Sequence, residues 1–178
     1  NNSIIFNELA EGPYSNCTVK VTDNATNASN ILPVSSFTID ITAPTLAEVT
    51  VVTHPTNVTT PNYRFSSNEA GQITYGGSCG SSTTSAISGN NSVNLRKSDG
   101  SNFSEAIYSN CTIKVTDNAS NISNTLPISL FTIDTTAPTV SSVSSSNSDG
   151  LFGIGDNITI TVTFNDNVIV DNSSGNPR

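Results

Sequence analysis

The chain has 178 residues, with 14 acidic against 6 basic side chains, a formal charge of −8, and neither Met nor Trp. Six scattered Lys and Arg exclude the clustered basic footprint that nucleic acid requires, and no apolar run approaches the roughly 20 residues of a membrane helix. Asn, Ser and Thr supply 76 residues, a small, polar, β-tolerant composition suited to exposed sheets and long turns.

In chain order, residues 1–13 fall opposite 95–107 and are expected to carry the same strand and turn. Cys17 to Thr22 alternate, Cys17, Val19 and Val21 on one face, Thr18, Lys20 and Thr22 on the other, which predicts a half-buried strand. A polar loop follows, and Val34 to Asp40 is expected to return as the last strand of a unit. Thr42-Ala43-Pro44-Thr45 then forms a short, stiff junction, because proline fixes its own φ and keeps the preceding residue extended.

From there the pattern starts again. Residues 14–46 match residues 108–140 at a constant offset of 94, with 25 identities in 33 positions. Self-similarity at a fixed period marks a tandem array, and a 94-residue unit is close to the roughly 100 residues of an immunoglobulin-like sandwich. The expected organisation is the C-terminal part of one repeat (1–45), a complete repeat (46–139), and the N-terminal part of a divergent repeat (140–178). In the complete repeat, strands are expected at 46–53, broken by His54-Pro55, then at Asn62–Ser67 and Gln72–Gly77. The Gly, Ser and Thr-rich stretch 76–92 reads as a long connection with at most a short strand. Strands at 92–96, from Ala106 through the counterpart of Cys17–Thr22, and at 127–134 complete it. Six or seven short strands without helical periodicity predict an all-β fold, tandem immunoglobulin-like β-sandwich repeats. In the third unit Ile158, Ile160, Val162 and Phe164 share one face, followed by a turn at 165–167 and a strand at 168–170.

Cys17 and Cys111 occupy the same position in two copies and do not pair with each other. Cys79 is the natural partner of Cys111, closing a loop that contributes about 3 kcal/mol and implying an oxidising compartment. The partner of Cys17 is expected before Asn1. An exchange of half-repeats between two chains is conceivable from the register, but it sets Ser173 opposite the Cys79 position and leaves Cys17 unpaired.

Gly76-Gly77-Ser78-Cys79-Gly80 fits G-x-S-x-G, yet a nucleophile elbow needs a following helix and a histidine base. His54, the only histidine, reads as a solvated surface residue, and three separated cysteines offer no zinc cluster. No acid, base and nucleophile set can be named, so no enzyme is expected. Twelve Asn-x-Ser/Thr triplets follow mostly from composition.

The acidic residues point further. If the chain enters a sandwich at one end and leaves at the other, Asp40 at the end of the first copy faces Glu69 and Asp117 of the next. By the same logic Asp134 faces Asp166. Clustered carboxylates with carbonyl oxygens suit Ca2+ at the inter-repeat junctions. The plainer reading makes Asp23 and Asp117 turn formers and Asp40 and Asp134 solvated strand ends.

At VTDNASN followed by FTIDTTAPT the chain resembles the bacterial immunoglobulin-like (Big-type) repeats of large secreted surface adhesins, and residues 153–170, GIGDNITITVTFNDNVIV, are similar to the opening half of a related repeat. The resemblance implies a cell-surface stalk, some of whose members are stiffened by calcium at junction Asp residues, matched here by Asp40 and Asp134. One position departs: the loop reads D-N-A-S-N where many such repeats have glycine before the final Asn. The expected role is that of a non-enzymatic extracellular stalk segment whose partners are neighbouring repeats. The alternatives are a filament subunit contacting other copies, and a module binding a host or surface glycan or protein.

Overall fold

The computed structural model describes residues 2–170, which form an all-β protein with seventeen strands and no helix. Two compact units are present, Asn1–Ile133 and Asp134–Arg178. In the first, the leading copy contributes β1 (Gly12–Tyr14), β2 (Thr18–Val19), β3 (Leu32–Pro33) and β4 (Phe37–Ile39). The complete repeat begins with β5 (Leu46–Thr50), β6 (Asn62–Ser67), β7 (Gly71–Gly76), β8 (Cys79–Gly80) and β9 (Ser85–Ala86). It continues with β10 (Gly89–Asn94), β11 (Arg96–Lys97), β12 (Ala106–Tyr108), β13 (Thr112–Thr116), β14 (Leu126–Pro127) and β15 (Phe131–Ile133). The second unit holds β16 (Val140–Ser145) and β17 (Ile160–Phe164).

All strand ladders are antiparallel and lie in several small sheets. Two dominate: a three-stranded sheet in the order β10-β6-β5 and a four-stranded sheet in the order β14-β13-β7-β9. Period-two alternation decides what each buries. Tyr63, Phe65 and Ser67 of β6 turn inward, as do Ile113 and Val115 of β13. The apolar ones among them join Tyr108, Phe131 and Ile133 of the β12–β15 pair in one continuous core. Phe103, Tyr108 and Phe131 pack ring against ring, with centroids 4.4 to 5.3 Å apart.

Equal sequence does not give equal burial. Val115 is 0% exposed and Leu126 8%, whereas Val21 and Leu32, the same residues 94 positions earlier, are 64% and 63% exposed. In the complete repeat the inward side chains of the β10-β6-β5 sheet cover this face; among the described residues no equivalent covers the leading copy. Burial of one such side chain is worth about 1.5–3 kcal/mol, and without it the strand expected over 17–22 shortens to the two residues of β2.

Local devices persist in both copies nonetheless. The Tyr14 hydroxyl donates to the Ala10 carbonyl at 2.9 Å, and the Tyr108 hydroxyl to that of Ser104 at 3.1 Å. Asp23 accepts from the Ala25 and Asn27 amides, and Asp117 from those of Ala119 and Asn121. Thr26 and Ser120, at the position where the resembled repeats carry glycine, have φ of 70° and 75°. The loop therefore keeps the left-handed conformation that glycine adopts freely, and keeps it with L side chains.

Other segments differ from expectation. Strand β10 starts at Gly89, inside the stretch expected to be a connection, because Asn90 to Val93 pair with β6 residue by residue. Strand β5 ends at Thr50, before the cis His54-Pro55 bond, and His54 is exposed. Gly76–Gly80 is strand, turn and strand with no helix after it. Gly77 is required there, since its φ is 70° and a Cβ would meet the Asn110 carbonyl. In the second unit Val143 pairs with Val162, and Val140, Val143, Ile160 and Val162 are 41–64% exposed. Residues 168–170 form no strand, and Ser173 lies outside the described residues.

Candidate metal centre

Three elements of the first unit meet where the leading copy ends and the complete repeat begins. Asp40 follows β4, Glu69 sits in the turn between β6 and β7, and Asp117 opens the loop after β13. A carboxylate oxygen from each lies within 4.8 Å of the others, and all three residues are half-buried.

Amide side chains hold this convergence in place. Asn121 Nδ2 donates to the Asp40 carbonyl at 3.1 Å and to the Asp117 carboxylate at 2.9 Å, so one residue ties the leading copy to the loop. Asn124 brackets Leu46, accepting its amide at 2.8 Å and donating to its carbonyl at 3.2 Å. Asn68 Oδ1 accepts the Thr45 amide at 2.6 Å, and the Asn68 amide returns to the Thr45 carbonyl at 3.2 Å. Pro44 is fully buried. The junction is thus packed and hydrogen-bonded on both sides of its proline.

Burial raises the pKa of the Asp117 carboxyl, but the Asn121 side chain and the amides of Asn121, Ala119 and Ser120 outweigh it and hold the group below the ordinary carboxylate range. Like charges brought this close repel one another. A cation relieves that cost. The donor set is all oxygen, without histidine or thiolate, which fits a hard ion such as Ca2+. Asp40, Glu69 and Asp117 would hold it.

Asp134 and Asp166 both belong to the second unit. Asp134 accepts the Thr136 amide at 3.1 Å, repeating the Asp40 to Thr42 bond, and Asp166 accepts the Asn167 amide at 2.7 Å. Among the described residues neither belongs to a group of three such ligands. Cys79 and Cys111 form a disulfide, and Cys17 is free and half-buried. Sequence reasoning passed over Asn68, Asn121 and Asn124. The signal was present for two of them, since Asn27 and Asn30 stand at the same places in the leading copy.

No protein-family model matches the chain, and no curated protein or solved structure matches it significantly.

Proposed function

We propose that this chain is a non-enzymatic segment of an extracellular structural or adhesive stalk, built from tandem immunoglobulin-like β-sandwich repeats and stiffened by Ca2+ at the junctions. The observation that carries the reading is the clamped junction: the end of one copy is bonded to two separate places on the next, at Asp40 through Asn121 and at Thr45 through Asn68. A linker fastened in this way passes load between repeats and limits bending. The two inward-facing sheets, the tyrosine hydroxyl turned back on its own chain in each copy, and the disulfide support the sandwich class and an oxidising compartment. Ca2+ enters through the three carboxylates, whose mutual repulsion it would relieve.

The test is thermal unfolding of the whole chain in calcium and then in chelator. Calcium at about a hundred times its Kd adds about 2.7 kcal/mol of stability. Asp40→Ala removes the gain, whereas Asp134→Ala probes the second junction. An unchanged transition would remove calcium from the account. Labelling of intact source cells by antibodies to the chain tests the surface location independently.

A second reading is a filament subunit completed by a neighbouring copy, which would cover the exposed Val21 and Leu32 and the exposed apolar residues of the β16–β17 hairpin. In the complete repeat the corresponding faces cover one another. Concentration-dependent association in analytical ultracentrifugation supports it; a monomer at high concentration rules it out.

A further inference from the structure

Beyond the junction, the complete repeat carries an open cleft of about 600 Å³ whose lining includes Thr74, Tyr75, Ser82, Arg96, Lys97 and Ser98. Its volume lies within the range of small-ligand sites, about 300–1,000 Å³. The short β8–β11 pair builds one wall, Arg96 opposite Gly80 and Lys97 opposite Cys79. The Cys79–Cys111 disulfide ties that wall back to the start of β13.

Charge distinguishes this concavity from the rest of the surface. The chain has six basic residues and a net charge of −8, yet two of the six stand side by side here. At the corresponding positions of the leading copy, 94 residues earlier, the residues are Asn2 and Ser3. The repeat itself therefore does not ask for cations at this place. Arg96 is oriented by a 2.7 Å bond to the Asn102 side chain, which leaves its other N–H groups available. Lys97 hydrogen-bonds no acceptor through its ammonium among the described residues; the Asp99 carboxylate, which feels its charge, takes the Ser101 amide and hydroxyl at 2.8 and 2.6 Å. The hydroxyls of Thr74, Ser82 and Ser98 likewise bond no protein group among the described residues.

We propose that this cleft binds an acidic saccharide, its carboxylate or sulfate paired with Arg96 and Lys97 and its hydroxyls bonded by Thr74, Ser82 and Ser98. Guanidinium and ammonium donors supply charge-assisted hydrogen bonds to an anionic oxygen. A lining rich in small hydroxyls suits a sugar better than a peptide, which asks for apolar pockets or a free sheet edge. The proposal holds whether or not the chain is part of a stalk.

The experiment is amide chemical-shift mapping of the whole labelled chain with three probes: a trigalacturonate, a sulfated heparin disaccharide and a neutral galactose trisaccharide. An acidic probe is expected to shift the amides of Thr74, Ser81, Ser82, Arg96, Lys97 and Ser98, and its affinity to fall as salt rises. Lys97→Ala and Arg96→Gln are each expected to weaken binding about tenfold, the loss of one charge-assisted bond of about 1.4 kcal/mol. The unchanged shifts of core amides in each variant verify that it folds. The two acidic arms separate carboxylate from sulfate recognition. Absence of shifts, shifts elsewhere, equal binding of the neutral sugar, or tighter binding of a Glu-rich peptide would each overturn the proposal.

Discussion

Ser120→Gly is expected to stabilise the protein. Ser120 sits in the loop after β13 with φ of 75°, its side chain is exposed, and its hydroxyl bonds no protein group among the described residues. Holding an L residue there costs roughly 1–2 kcal/mol, because Cβ crowds the neighbouring carbonyl. Glycine removes that cost but loses about 0.5–1 kcal/mol more backbone entropy on folding. The net gain is about 0.5–1 kcal/mol, or about 2–4 °C in the melting temperature of a unit this size. Thermal and urea unfolding of Ser120→Gly, with Ser120→Ala as control, measure it. Alanine keeps the Cβ and should leave stability near that of the parent, while Ser120→Val should lower it further, since a branched side chain fits this region worst. Thr26→Gly, at the same place in the leading copy, loses a 2.6 Å bond from its hydroxyl to the Ala25 carbonyl and should gain less. The reasoning fails if Ser120→Gly is no more stable than Ser120→Ala.

Three further outcomes follow from the core and the loops. Replacing both Cys79 and Cys111 with Ala frees a span of 32 residues and should cost about 3.7 kcal/mol by chain entropy, read from urea midpoints with and without reductant; a cost under about 1 kcal/mol would contradict the entropic account. Tyr63 is wholly buried with a hydroxyl that finds no partner at hydrogen-bond geometry among the described residues, and burial, followed by the charge and the accepting oxygens of the nearby Glu48 carboxylate, drives its ionisation upward. Glu48 is held by the Ser129 amide and hydroxyl, and because the Tyr63 hydroxyl is buried without a well-formed bond in return, Tyr63→Phe should raise stability by about 1 kcal/mol, and a loss of that size would refute it. The Asp117 carboxyl titrates below its ordinary value, so its contribution is present above about pH 3.9 and is lost as pH falls through the folded value. The stability gap between the parent and Asp117→Asn should therefore close in acid, and a gap independent of pH would remove the linkage.

Much of this architecture is legible in the residues because the repeat serves as an internal alignment. The offset of 94 assigned Cys17 and Cys111 to one position, leaving Cys79 as the partner for Cys111. The order of strands and turns placed Asp40, Glu69 and Asp117 at one end of the repeat, where the structure sets them within 4.8 Å. Alternation was less informative about burial. It reads identically at 17–22 and 111–116, yet only the second set is covered, because burial depends on a partner sheet that periodicity does not contain. The stretch 76–92 read as a connection because it is rich in Gly, Ser and Thr, but pairing of Asn90 to Val93 with the buried β6 makes a strand of its end. The cleft at Arg96 and Lys97 was invisible for a different reason: β8 and β11, which wall it, are two residues each, too short for any pattern. The departure from glycine in D-N-A-S-N left the shape of this loop unread, whereas the structure holds Ser120 at φ 75° beside the amide bonds to Asp117.

The bond between Cys79 and Cys111 also sets how far this protein stretches. Tension applied at the two ends travels through the sulfurs and bypasses the 32-residue span between them. Fully extended, that span would add about 110 Å at roughly 3.5 Å per residue, while the bridged cysteines have Cα atoms only 5.2 Å apart. A repeat torn open by tension therefore lengthens by about 100 Å less than its residue count implies. Strands β8 to β12 stay slack inside the bridge and carry no tension, ready to pair again when the pull is released.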